Sequence, residues 1–457
     1  MNRSKSALLR NFINSKTFTV LFWIFLVIAG AIVLYFRYPY ALNASNFYAE
    51  DGKVFALSVY QNGFAHSFFT LFNGYFVFLQ YVVLDLSFLV NNIFGHGIVT
   101  LPKSIAIVSC ITIAFGCSLP WLLFRKKIGS IMAILAVILL LFTPLGRSDY
   151  TVIGTIGNLK FLFFYIATML IIYRNDISLV PKKSLKLYFV DIALLLCVFT
   201  NVLVVLLLPL ALFRYKQEIS KLLKTKKIKL SSHKDLLGIA LILIISGIYV
   251  VAIYINGIPK MEGYLDGPLV IEGFINAFFR VTWYGILYPA YTTFNIVMVI
   301  GLLLLIPLAI FMKKNKLFVI AVAWAICVYT IGFVANRPGV TEFLRDYTSD
   351  GGPGQFFYGG TMIFVFGLVY LVSQNYNSLK LYKKAIALYL VLIYMIWAFP
   401  YAGSGENSYD LYRVVPTSYQ AVTESCNKNS GKYVTFDIYP SAIWTMTIER
   451  DLACQKP

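Results

Sequence analysis

Apolar runs of about 20 residues, each long enough to cross roughly 30 Å of hydrocarbon as a helix, recur along this chain. The first extends from Thr17 to Phe36, and others lie at 104–124, 128–146, 155–173, 236–255, 292–311, 317–335, 358–374 and 384–399. Backbone groups in lipid must bond internally, so these runs are read as helices; the alternation of a membrane barrel is absent. Composition agrees: 59% of the 457 residues are hydrophobic and 13% charged. A soluble domain could not hide that much apolar surface. Arg3, Lys5, Arg10 and Lys16 precede the first run, which holds the small-residue patch Ala29-Gly30-Ala31. The run continues to Phe36, too far for a cleaved signal, so an uncleaved anchor is expected.

Lys and Arg number 39 against 20 acids, a net charge of +19. The excess would fit a nucleic-acid partner, but its distribution argues for a membrane instead. With the N-terminus in the cytoplasm, 25 of the 39 basic residues fall inside, and of the acids only Asp176, Asp191, Glu218 and Asp235. That is the positive-inside bias of membrane insertion. The Lys-rich cytoplasmic loop 214–234 reads as a topology signal near anionic lipid.

Charge parity also decides two ambiguous regions. The run 104–124 feeds directly into the basic stop Arg125-Lys126-Lys127, so it takes the crossing. The preceding run 69–90 carries Asn73, Gly74, Gln80 and Asp85, costly at mid-bilayer, so 55–94 is expected as helices along the outer membrane face. The stretch 187–213 has basic residues at both ends; a hairpin of two short helices turning near Thr200-Asn201 satisfies both. The expected fold is an all-α polytopic bundle of about eleven crossings over 1–399, with an outer loop at 37–103 and further outer segments at 256–291 and 336–357. A small extracytoplasmic α/β tail follows at 400–457. In that tail KYVTFDIY and AIWTMTI alternate around Pro440 as short strands would. An oxidising compartment would allow a Cys426–Cys454 bridge worth about 3–4 kcal/mol; two free thiols are the alternative.

The segment FYAEDGKVFA places Glu50 and Asp51 just after the first helix. Two acids in an outer loop are often merely solvated. Partly buried side by side, they would have raised pKa values and suit general-base work. Spacing alone leaves both readings open. The acidic loop, surface helices, helical bundle and outer C-terminal unit together resemble the GT-C glycosyltransferases. More narrowly, AEDGKVF, NGYFVFLQ and TIGNLKFLF are similar to the bacterial branch containing phage-type, serotype-converting O-antigen glucosyltransferases. The likeness covers most of 17–399 as architecture and these three motifs as residues.

The resemblance implies transfer of a sugar, glucose in that branch, from a polyprenyl-phosphate carrier such as undecaprenyl phosphate. The acceptor would be a surface glycan such as lipopolysaccharide O-antigen, at the periplasmic face of a bacterial inner membrane. Glu50, the first choice, or Asp51 would deprotonate the acceptor hydroxyl, and Asp149 stands where such enzymes often carry a second acid. The leaving phosphate calls for cations, with Lys103, Arg147, Lys160, Arg280, Arg337 and Arg345 as candidates. Lys103 reads equally as a snorkelling lysine, and Arg147 as the partner of Asp149. Lys160 sits in an apolar run, where a lone lysine is costly without a purpose. Relatives often carry an Arg-Tyr-Phe-like sequence where this chain has Gln355-Phe356-Phe357, so a phosphate contact there would fall to Arg345 or Arg337. The implied partners are the lipid-linked sugar, the glycan acceptor, a donor-synthesising glycosyltransferase and a donor flippase.

Other chemistries have weaker support. His66, His96 and His233 show no metal-ligand spacing, and no GxxxxGK[ST] loop is present. No cofactor or metal is expected. A flippase for lipid-linked sugars would place paired charges inside the spans, whereas here those spans hold chiefly Asp191 and Lys160. A polysaccharide polymerase or ligase is the other alternative, distinguished by the length of its product.

Overall fold

The computed structural model describes residues 15–39, 46–72, 74–94, 97–143, 149–177, 184–212, 215, 234–255, 274–275, 277–278, 282, 316–335, 357–376, 418–428, 430–438 and 444–454. These are mostly helical, with one two-stranded sheet. Helix α1 spans Lys16–Arg37; its start is capped by Ser15, whose hydroxyl accepts from Phe18 N at 3.0 Å. A π-helical turn, Asp51–Ala56, leads into α2, Leu57–Phe68. Then come α3 (Phe78–Phe94) and α4 (Leu101–Leu119), which continues through a π-helical turn at Pro120 to Ile128. They are followed by α5 (Ser130–Leu141), α6 (Leu159–Ile177) and α7 (Ser184–Val198). The bundle continues with α8 (Lys234–Ile255), α9 (Lys316–Ala335) and α10 (Tyr358–Tyr376).

Among the described residues three helical segments are long and apolar enough to cross a membrane: Lys16–Arg37, Leu101–Ile128 and Gly238–Ile255. The expected crossings at 292–311 and 384–399 lie outside the described residues, as do the charged loop 336–356 and most of 214–234. The described part of the run expected to cross at 128–146 holds the 12-residue α5, and 144–146 lie outside the described residues. Thr143 precedes Pro144, whose ring disfavours helical geometry at the residue before it. The run expected at 155–173 becomes helical only at Leu159, because 153–158 is a turn.

Helix α1 lies along α4. Gly30 permits the approach: a Cβ there would stand 3.1 Å from Ala114 Cβ and 3.2 Å from Leu141 Cδ2. The indole of Trp23 donates to Ser118 Oγ at 2.8 Å, and Arg37 Nη1 donates to the Leu141 carbonyl at 2.8 Å. The opposite face of α1, with Leu21, Phe25, Ile28 and Phe36, is uncovered, as suits a lipid surrounding. Helix α6 is the centre of the bundle. It buries Phe164, Tyr165, Ala167 and Ile171 completely or nearly so and packs on α4, α7, α9 and α10.

The expected hairpin at 187–213 takes the form of α7, a break at 199–201, a 3₁₀ turn Val202–Leu207 and a last helical turn Pro209–Leu212. The break is anchored on protein. Phe199 O accepts from Phe78 N at 3.4 Å, Thr200 Oγ1 from Leu79 N at 3.0 Å, and Asn201 Nδ2 donates to Lys160 O at 3.1 Å. Deeper along the same pair of helices, Arg174 Nε meets Asp191 Oδ1 at 2.6 Å, both side chains buried.

The tail is an α-β-β-α unit. Helix α11 (Ser418–Lys428) packs on the antiparallel pair β1 (Tyr433–Asp437) and β2 (Thr445–Glu449), in which Thr435 faces Thr447. Val434, Phe436, Met446 and Ile448 point inward, the period-2 alternation visible in the sequence. Cys426 and Cys454 form a disulfide that closes the unit.

Candidate active site

The turn 153–158 is where the three motifs meet. Asp51 stands at the start of its π-helical turn, its amide bonded to Tyr48 O at 2.7 Å. Its carboxylate accepts from two consecutive backbone amides, Ile156 N at 2.9 Å and Gly157 N at 2.8 Å, one on each oxygen. Gln80, from the second motif, donates its side-chain amide to the Gly157 carbonyl at 3.1 Å. Both backbone polar groups of Gly157 are thereby bonded by side chains from distant segments. Ser109 of α4 donates to Thr155 O at 2.7 Å, and Asn158 Nδ2 bonds Thr151 O, closing the turn on itself. Gly154 takes φ +85°, a left-handed conformation that favours glycine. The acidic pair packs directly on Gly157, where a Cβ would be in ordinary contact with Asp51 Oδ1 at 3.4 Å and Glu50 Cβ at 3.6 Å.

The two acids differ sharply in setting. Asp51 is 1% exposed, whereas Glu50 is half-buried. Removal from water pushes the Asp51 carboxyl up to about 7; the two amide hydrogen bonds pull it down, and the neighbouring Glu50 charge adds a smaller upward push. Two neutral donors do not replace the hydration a carboxylate loses at such depth, so burial wins. Asp51 is therefore a holding group with its oxygens engaged. Glu50, one residue earlier, is reachable from solvent.

The cation candidates separate in the same way. Lys160 lies in the first turn of α6, two residues beyond Asn158, half-buried with its ammonium 5.3 Å from the Phe161 ring centroid. It thus adjoins the turn whose amides bond Asp51. Lys103 is exposed in the first turn of α4, and no described contact links it to Glu50 or Asp51. Asp149 opens a short helix, Asp149–Val152, just before the turn. Arg147, Arg280, Arg337 and Arg345 lie outside the described residues. No group of three metal-ligating side chains occurs among the described residues.

Gln80, Ser109 and Asn201 were not among the sequence-derived site candidates, yet each fixes this turn or the helix it enters. Gln80 carried a signal, an amide inside an apolar run, where a polar group needs a reason. Ser109 gave none, since a serine in a buried helix ordinarily bonds its own helix. Comparison with protein-family models, with curated proteins and with solved structures finds no match to this chain.

Proposed function

We propose that the chain is a membrane glycosyltransferase of GT-C type, moving a hexose from a polyprenyl-phosphate donor to a surface glycan at the periplasmic face of a bacterial inner membrane. The observation that carries this reading is the convergence of AEDGKVF, NGYFVFLQ and TIGNLKFLF on one turn, with an accessible carboxylate beside it. Three motifs separated by tens of residues have no packing reason to meet at one glycine. A site needing a fixed acid does supply one.

In the proposed reaction Glu50 removes the proton from an acceptor hydroxyl. The oxygen then attacks the anomeric carbon, and the bond from that carbon to the carrier phosphate breaks, its electron pair leaving with the phosphate. Asp51 touches neither substrate; it fixes the segment that presents Glu50. Lys160, at the amino end of α6 where the helix dipole also favours anions, is the nearest candidate to meet the developing phosphate charge. Helix α3 exposes Asp85 together with Leu86 and Leu89, a mixed face that fits a helix lying in the membrane interface.

A flippase would need charges along an open path. The described buried pair, Arg174 with Asp191, is closed off by α8: a Cβ on Gly238 would stand 2.5 Å from Asp191 Oδ2. A polymerase would lengthen chains instead of decorating them. Mass spectrometry of surface glycans from cells with and without the protein separates these readings. One added hexose per repeat unit is expected with the wild type and none with Glu50→Gln at equal membrane levels, while Asp51→Asn leaves a residual rate. Unchanged glycans, or full transfer by Glu50→Gln, would remove the proposal.

A further inference from the structure

We propose that the disulfide-closed C-terminal unit is a positioning element for the acidic pair, clamping the strip that carries Glu50 and Asp51 from the side opposite the 153–158 turn. The proposal rests on reading that pair as the reactive centre. Strand β2 packs on the π-helical turn Asp51–Ala56 and on α2. Gly52 is wedged between the first outer segment and the tail: a Cβ there would lie 2.9 Å from Phe47 Cβ and 3.0 Å from Ile438 Cδ1. Phe47 and Ile438 are each 1% exposed, so this seam is a dry contact. Beside it the Lys53 ammonium lies 5.5 Å from the centroid of the Trp444 ring.

Three consecutive residues thus face two ways. Asp51 grips the Ile156 and Gly157 amides, while Gly52 and Lys53 are held by Ile438 and Trp444. Glu50 is presented from the strip fixed between them. Ile438 and Trp444 are themselves locked together at the connecting end of the hairpin, just beyond the Asp437–Thr445 pair, Ile438 N donating to Trp444 O at 3.0 Å. A two-stranded sheet is marginal alone and needs further support. Here α11 and the Cys426–Cys454 bond supply it, with Arg450 Nη2 donating to Cys426 O at 2.8 Å across the same junction. Because the bond forms only where thiols are oxidised, the clamp assembles after the tail has reached the oxidising side of the membrane. The chemistry of the pair is thereby coupled to export of the tail.

Hydrogen–deuterium exchange of the purified full chain tests this without any substrate. In a Cys426→Ser/Cys454→Ser variant, exchange is expected to quicken about tenfold in peptides covering 47–57 and also in those covering 153–160. A tail with only its own stability to maintain would leave both segments unmoved. Trp444→Ala keeps the disulfide and should quicken 47–57 by itself, which retains the test if the double variant fails to fold. In transfer assays the same variants should lose kcat about tenfold or more with donor KM unchanged. Unchanged exchange at both 47–57 and 153–160, in protein whose β1–β2 peptides have lost protection, would overturn the proposal. A wild-type chain without transfer activity would instead sink the glycosyltransferase reading, and the exchange result would still decide whether the clamp exists.

Discussion

Asp51 combines two properties that pull apart: it accepts from two backbone amides and it lies where ionisation is penalised. The sign of the resulting pH dependence follows. Its folded pKa, about 7, exceeds the unfolded value of 3.8, so the native state holds a proton that the unfolded chain has released. Stability on this account is greatest below pH 4, falls as pH rises to about 7 and is flat above, by about 4 kcal/mol at most. Thermal unfolding of the detergent-solubilised protein from pH 4 to 8 should show this fall in the wild type and not in Asp51→Asn. A wild type that gains stability over the same window would mean that the two amides outweigh burial. At this level the sequence was half legible. An acidic pair beside a membrane helix stood out, but which acid is buried depends on residues about 105 positions away, beyond the reach of any local pattern.

The broken hairpin 184–212 shows what patterns along one element reveal and what they miss. Basic residues at both ends of one apolar stretch predicted a turn near Thr200-Asn201, and the structure breaks the helix at 199–201. What periodicity could not foresee is where the break is pinned: Asn201 bonds the carbonyl of Lys160, in the first turn of α6, and accepts from Leu203 N at 3.1 Å. Asn201→Ala would remove the side-chain bond to the Lys160 carbonyl and leave the Leu203 amide without its cap, at about 1–2 kcal/mol. A lower unfolding midpoint and weakened sugar transfer are expected, because α6 begins at the site turn. An unfolding midpoint equal to that of the wild type would show that the hairpin is held by apolar packing alone. The shortened α5 and the late start of α6 are misread boundaries of one kind. Hydropathy sees apolar residues, but it does not see that Pro144 ends one helix or that the glycines at 154 and 157 make a turn of apolar sequence.

For the molecule as a whole, membrane character, the helical bundle and the disulfide-bonded tail were accessible from run length, charge and alternation. The meeting of that tail with the first outer segment was not, since a contact between Gly52 and Ile438 leaves no trace in either local sequence. In the proposed membrane arrangement this contact puts Gly52 and Lys53 on the same side as Ile438 and Trp444, and a Cys426–Cys454 bond fits an oxidising side. The proposed chemistry requires the same side. Treating spheroplasts that carry Glu50→Cys in a Cys327→Ser background with a membrane-impermeant maleimide tests this placement, because the remaining free cysteines Cys110, Cys117 and Cys197 are buried. Residue 50 is expected to be modified in spheroplasts without permeabilisation. Modification only after the inner membrane is opened would put the acids in the cytoplasm, where neither the disulfide-closed tail nor an extracytoplasmic acceptor could meet them.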